Sequence, residues 1–189
     1  VLQAPPLAVS GRGLGTQLIL ALVLPAIVVL AGTTFLVEIA VTRALDESLA
    51  DRLVAVAAAG AALSNARLLL LEPGDDESRT AQRTRSRLDE LAKQTGAEQI
   101  MLVTLGEDSR VVLDSMGRHK IGETYGRADF DRVELGRVAR GERAASVLFR
   151  AEEGRWYKTG YAPLADAEGK PLAAVVVNAP AAFFEVIEE

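Results

Sequence analysis

The 189-residue sequence has no cysteine and a single histidine, His119. Without thiols there is neither a disulfide framework nor a zinc–thiolate site, and one imidazole cannot supply the two or three of a usual zinc centre. No serine stands in a nucleophile elbow, and no Walker loop or dinucleotide fingerprint occurs. Gly11-Arg12-Gly13 lacks the strand-to-helix context that a phosphate loop needs. These absences lead to the expectation of a segment with no catalytic residue, no metal and no cofactor. A net charge of −5 and a pI near 5.1 leave no global footprint for nucleic acid. Charge itself is missing from one place: between Gly13 and Val37 no residue carries any.

That uncharged run is mostly Leu, Ile, Val and Ala. At ~1.5 Å of helical rise per residue it covers the ~30 Å hydrocarbon core of a bilayer. Pro25 sits at its centre, where a membrane helix tolerates a proline with a kink. Arg12 precedes the run, whereas Glu38, Asp46 and Glu47 follow it with Arg43 as the one nearby cation. The positive-inside rule then puts a leader, 1–12, in the cytoplasm, a transmembrane helix at 13–37, and residues 38–189 on the far side of the inner (cytoplasmic) membrane. Two other readings stay open: a secretory signal peptide, whose apolar core is normally shorter, and a buried helix of a soluble protein. The roughly 150 residues that remain suffice for one domain with its own core. The chain opens on Val and stops at Glu in mid-pattern, so a longer parent protein is expected.

Residues 38–72 contain no proline and one glycine, Gly60. Apolar or small residues recur at Leu45, Leu49, Leu53, Val56, Gly60, Leu63 and Leu70, the stripe of a long helix. Its stripe is buried either by its own domain or by a second copy in a parallel homodimer, with the membrane-proximal half the expected seam. Pro73-Gly74-Asp75-Asp76 ends it, Asp76 or Ser78 caps the next helix, and Gly96 closes that one after Thr95. The arginines of this second helix, Arg79, Arg83, Arg85 and Arg87, read as a solvated face. Strands are expected at 99–105, 110–114, 145–150, 155–164 and 172–178, with a short helix from an Asp129 cap to Arg140. From Pro180 an exit helix, 180–189, is expected to lead toward a second span. The order is α+β, and its short turns imply antiparallel pairing.

The segment Gly160 to Leu164, the turn at Gly169 and the run Leu172 to Val177 resemble the last hairpin of the extracellular PAS-like sensor domains called Cache or PDC domains. Asp114-Ser115-Met116 and Ile121 to Tyr125 resemble their post-hairpin loop. The resemblance implies a membrane helix continuing into a long helix, then a sensor domain at 73–179 built on a PAS-like five-stranded antiparallel sheet with flanking helices. It implies the input domain of a membrane signalling receptor, with a sensor histidine kinase as the expected parent and a chemoreceptor or cyclic-dinucleotide enzyme as rivals. A membrane-anchored assembly protein with no small ligand is the alternative from a different class.

Two clusters are candidate ligand-binding residues. Arg118-His119-Lys120 can hold a carboxylate or phosphate through charge-assisted hydrogen bonds, as the resemblance implies for this loop, or can be an exposed loop tip. Strand alternation puts Arg155, Tyr157, Thr159 and Tyr161 on one face, with Trp156 and Lys158 on the other. Arg155 with the two tyrosines suits a small anionic ligand, a carboxylate or an amino acid; the competing reading is aromatic core with snorkelling cations. Asp166 is a further candidate for an ammonium partner, or a turn residue.

Overall fold

The computed structural model describes residues 14–151 and 154–181. The expected leader, 1–12, and the exit helix from residue 182 onward lie outside the described residues. The chain divides after Leu45 into two units. In the first, helix α1 (Leu14–Leu63) is long and apolar enough to cross a membrane. Its side chains there are not hidden as those of a soluble core helix are: Leu22 is 79% and Leu30 69% exposed.

In the second unit α1 stops at Leu63 rather than running to residue 72. The Asn65 side chain accepts the Arg67 N–H and starts a separate 3-10 turn, Ala66–Leu70, which offers the backbone an alternative to the helical ladder. Helix α2 (Arg79–Thr95) begins at Ser78, whose hydroxyl accepts the Ala81 N–H, and ends at Gly96 in the left-handed conformation, φ 67°.

Strands β1 (Gln99–Thr104), β2 (Val111–Asp114), β3 (Ala144–Ala145), β4 (Phe149–Arg150), β5 (Trp156–Ala165) and β6 (Pro171–Pro180) form one antiparallel sheet in the order β2-β1-β6-β5-β3, with β4 also on β5. The expected third strand exists as two short pieces on one edge of β5. Between them Ser146 keeps the ladder going, its N–H donating to Thr159 O and its hydroxyl accepting the Thr159 N–H. β6 runs past the expected end at residue 178. Tyr157 pairs with Pro180, and the Ala181 N–H donates to Trp156 O, so the exit helix does not begin at Pro180. The opposite edge, β2, is lined by residues 122–124: Val111 and Gly122–Glu123 exchange backbone hydrogen bonds, and Arg110 bridges Thr124.

The sheet separates two cores. On one face Leu53, Val56 and Ala57 of α1 and Ala81, Leu88 and Ala92 of α2 pack against Ile100, Leu102, Val175 and Val177. The stripe expected to form a dimer seam is therefore taken by the chain's own sheet at Leu53 and Val56, which are 2% and 6% exposed, with Leu49 packed beside them. α1 comes close because Gly160 has no side chain: a Cβ there would lie 2.5 Å from the Leu53 carbonyl carbon. Lys158, also on this face, donates to Asp46 of α1 at 2.5 Å. On the other face helix α3 (Arg132–Ala139) places Leu135 and Val138 over Val103, Tyr161 and Val176. Its N-cap position is Asp131 rather than Asp129, and the side chain does no capping because Tyr125 and Arg127 hold it. A long helix on one face, a short helical insertion on the other and the first and last strands paired in the middle make this a PAS-like α+β fold.

Candidate functional site

The α3 face of the sheet is not fully covered. A cleft of about 860 Å³ opens there between the start of β5, the loop after β2 and the segment leading into α3. Arg118 and His119 line it from the loop, and Tyr157 lines it from β5. Arg118 and His119 of the loop and Tyr157 of the strand cluster, about forty residues apart in sequence, thus share one cleft, which Arg155 does not line.

They meet through Glu98, which sequence reasoning passed over. Tyr157 Oη donates to Glu98 Oε2 at 2.7 Å, Arg118 Nη1 lies 3.4 Å from Oε1, and Arg155 Nη1 lies 3.9 Å from Oε2. Arg155 precedes β5, is exposed, and holds its guanidinium 5.4 Å from the centre of the Tyr157 ring. Lys120 is exposed and does not line the cleft; its N–H donates to Glu123. His119 Nδ1 lies 3.0 Å from Glu123 Oε1, and that hydrogen bond holds the Glu123 carboxyl below the usual range. Asp166 accepts the N–H groups of Glu168 and Lys170, so it is a turn residue.

The loop carrying Arg118 and His119 is built on Asp114. This fully buried carboxylate accepts the backbone N–H groups of Met116, Arg118 and His119 and the Gln99 amide. From Gln99 a polar row crosses the sheet: Asn178 donates to Gln99 at 3.4 Å, and Thr159 donates to Asn178 at 2.8 Å. Buried polar groups are retained only when partnered, so the row ties the loop to β5 at a fixed height on the sheet. Asn178 ends the apolar run of β6, and a polar residue at that point was the one sequence signal for it.

At the other end of the cleft Asp131, 1% exposed, accepts Tyr125 Oη at 2.7 Å and Arg127 at 2.9 and 3.3 Å. The Arg127 guanidinium lies 3.6 Å above the Phe149 ring, which stacks on Tyr157 at 6.2 Å. The spacing of Arg127 and Asp131, four residues apart at a helix start, was the signal available in the sequence.

Tyr161 does not reach the cleft. It is fully buried beneath it, and among the described residues its hydroxyl has no hydrogen-bond partner. Burial first, and then neighbouring charges, push the Tyr125 and Tyr161 phenols far above their ordinary value of 10. The unfolded chain releases these protons near pH 10 while the folded chain keeps them. Stability is therefore full below that pH and falls above it, by ~1.4 kcal/mol per pH unit for each phenol. Denaturant melts between pH 9 and 11 should show this decline, and Tyr161→Phe should halve the share due to this pair while costing little at neutral pH. An unchanged slope would show that Tyr161 ionises as readily in the folded chain.

No protein-family model matches the chain, and no curated protein matches it. Several solved structures are loosely similar. The sensor domain of the histidine kinase DctB from V. cholerae matches at a TM-score of 0.46 and 13% identity, over 77% of this chain and 57% of that one. The periplasmic domain of RsbU from Chlamydia trachomatis matches at 0.41 and 13%, over 77% and 57%. The periplasmic domain of Vibrio cholerae LuxQ matches at 0.37 and 21%, over 72% and 61%. The chain thus spans little more than half the length of the first of these. At such scores the fold rests on the strand order and packing described above.

Proposed function

We propose that the second unit is the extracytoplasmic input domain of a membrane signalling receptor, and that it binds a small carboxylate or amino acid in the cleft of Arg118, His119 and Tyr157. One observation supports this reading: Arg118 and His119 from one stretch of sequence and Tyr157 from another line a single open cleft. Arg118 meets Glu98 through one 3.4 Å contact and its side chain is 57% exposed, which leaves most of its guanidinium for an anion. The assembly alternative anticipates a flat apolar patch without a cavity, and the cleft favours the sensor. The apolar first part of α1 is then the anchor, with 1–12 cytoplasmic, the residues after β6 leading to a second span, and a histidine kinase as the output of the parent chain. A homodimer remains part of the proposal, but on the outward face of α1, where Ala55, Ala59 and Ala62 allow close approach.

The test is a thermal-shift screen of the full chain in detergent micelles against mono- and dicarboxylates and the common amino acids. A ligand that binds only the folded state stabilises it by about 2.7 kcal/mol at a hundredfold excess over Kd. Arg118→Ala should abolish the shift. A screen in which nothing stabilises the chain would return the assembly reading to first place.

A further inference from the structure

We infer that the Asp131 end of the cleft is a cage for an organic cation, filled here by the chain's own Arg127, and that it takes the guanidinium or ammonium group of a small ligand. The inference rests on the cleft being the ligand site and narrows what that ligand is.

Arg127 sits as a bound guanidinium sits. One face lies 3.6 Å from the Phe149 ring centre, and the edge bonds both oxygens of Asp131. Asp131 lines the cleft yet its side chain is 2% exposed, so the site requires a cation, whichever molecule supplies it. Phe130 lies 6.0 Å from the same guanidinium, also lines the cleft, and is 80% exposed. A phenylalanine left that open adds almost nothing to the core, but it suits the unfilled wall of a cation site. Glu134, one turn beyond Asp131, is a second carboxylate at this end of the cleft and has no ion pair among the described residues.

Arg127 is a replaceable occupant. Its hydrogen bonds among the described residues all go to Asp131, none to a backbone carbonyl, and its side chain is 31% exposed. An arginine built in for structure spends its five donors more widely. A ligand cation entering the cage would turn Arg127 outward and inherit Asp131, with Glu134 and Phe130 completing the enclosure. With Arg118 and His119 at the other end, the favoured ligand has a guanidinium or amine at one end and a carboxylate at the other.

The test titrates the full chain in micelles with arginine, agmatine and putrescine and follows the melting temperature. At least one should raise it saturably by several degrees, and Asp131→Asn should remove the effect. Arg127→Ala, which empties the cage, should bind the same compound about tenfold more tightly, because the competing internal cation is gone. Millimolar methylguanidinium should stabilise Arg127→Ala, and methylurea, its neutral isostere, should not. Should Arg127→Ala fail to fold, the wild-type and Asp131→Asn titrations decide alone. A wild-type chain that none of the three cations stabilises, or a stabilisation that survives Asp131→Asn, overturns the cage. Stabilisation by carboxylates lacking any cationic group, lost in Arg118→Ala, would keep the cleft as a ligand site while overturning the cage. Silence from both compound classes would overturn both.

Discussion

Gly160→Ala should lower the stability of the second unit by about 3 kcal/mol or more, the largest loss expected from a single methyl group in this chain. The added Cβ would lie 2.5 and 2.6 Å from the carbonyl carbon and oxygen of Leu53. Those are backbone atoms in the middle of a helical turn, and they cannot swing away as a side chain does. Either α1 lifts off β5, uncovering Leu53, Val56 and Ala57, or β5 bends out of its ladder with β6. Gly60→Ala is the matched control. Its Cβ would meet Val175 Cγ1 at 3.1 Å, a side-chain contact relieved by a shift of a few tenths of an ångström, and alanine gains ~1 kcal/mol of helix propensity over glycine. Urea melts of both variants should therefore part widely, with Gly60→Ala near the parent. Equal midpoints would mean that α1 does not lie on β5 at this point.

Asp46→Ala should be the second large loss. Lys158 is 4% exposed at its side chain and its ammonium is held 2.5 Å from the Asp46 carboxylate, which is itself 36% exposed. Removing the acid strands a cation on the helix face of the sheet. Loss of one partner from a fully buried pair costs 3–5 kcal/mol, and the access of water on the Asp46 side reduces this to ~2. Lys158→Met keeps the alkyl stem and removes the charge, so it should cost less than ~1 kcal/mol, and the double variant should recover most of what Asp46→Ala loses. A double-mutant cycle in which the two effects simply add would show that the pair is not formed. Lys158 adjoins Tyr157 on β5. Successive residues of a strand face opposite sides, so the strand position that lines the cleft is one peptide away from the position that grips α1.

How far such features can be read from sequence follows from the range of the forces involved. Local signals served well. Ser78 and Gly96 bound α2 as cap chemistry requires, and the alternation in β5 put Tyr157, Thr159 and Tyr161 on one face and Lys158 on the other. The end of α1 was misplaced because Asn65 competes for the backbone only over two residues, too briefly to disturb an apolar periodicity that runs on through Leu68 and Leu70. The third strand looked continuous because residues 145–150 have strand composition, while the hydroxyl that replaces part of its ladder belongs to one serine. Leu53 and Val56 of the expected seam are covered by the chain's own sheet for a different reason. A stripe states that a helix buries one face, but not against what, and here Gly160, a hundred residues later, decides the matter. Glu98 had no local signal of its function, because the fold brings its partner Tyr157 from 59 residues away, whereas Asp131 carried only the short-range signal of Arg127 four residues before it.

The broken strand on β5 and the lining of β2 also govern how copies of this domain can meet. A bare sheet edge is a template on which any extended chain can add itself, and copies of a domain at high local concentration present that template to one another. Here one edge offers only two-residue stretches, Ala144–Ala145 and Phe149–Arg150, separated by residues 146–148, where Val147 is 78% exposed. The other edge has residues 122–124 already running along it. Among the described residues, growth by strand addition is thus opposed on both sides, and any contact between copies falls to surfaces other than the sheet edges.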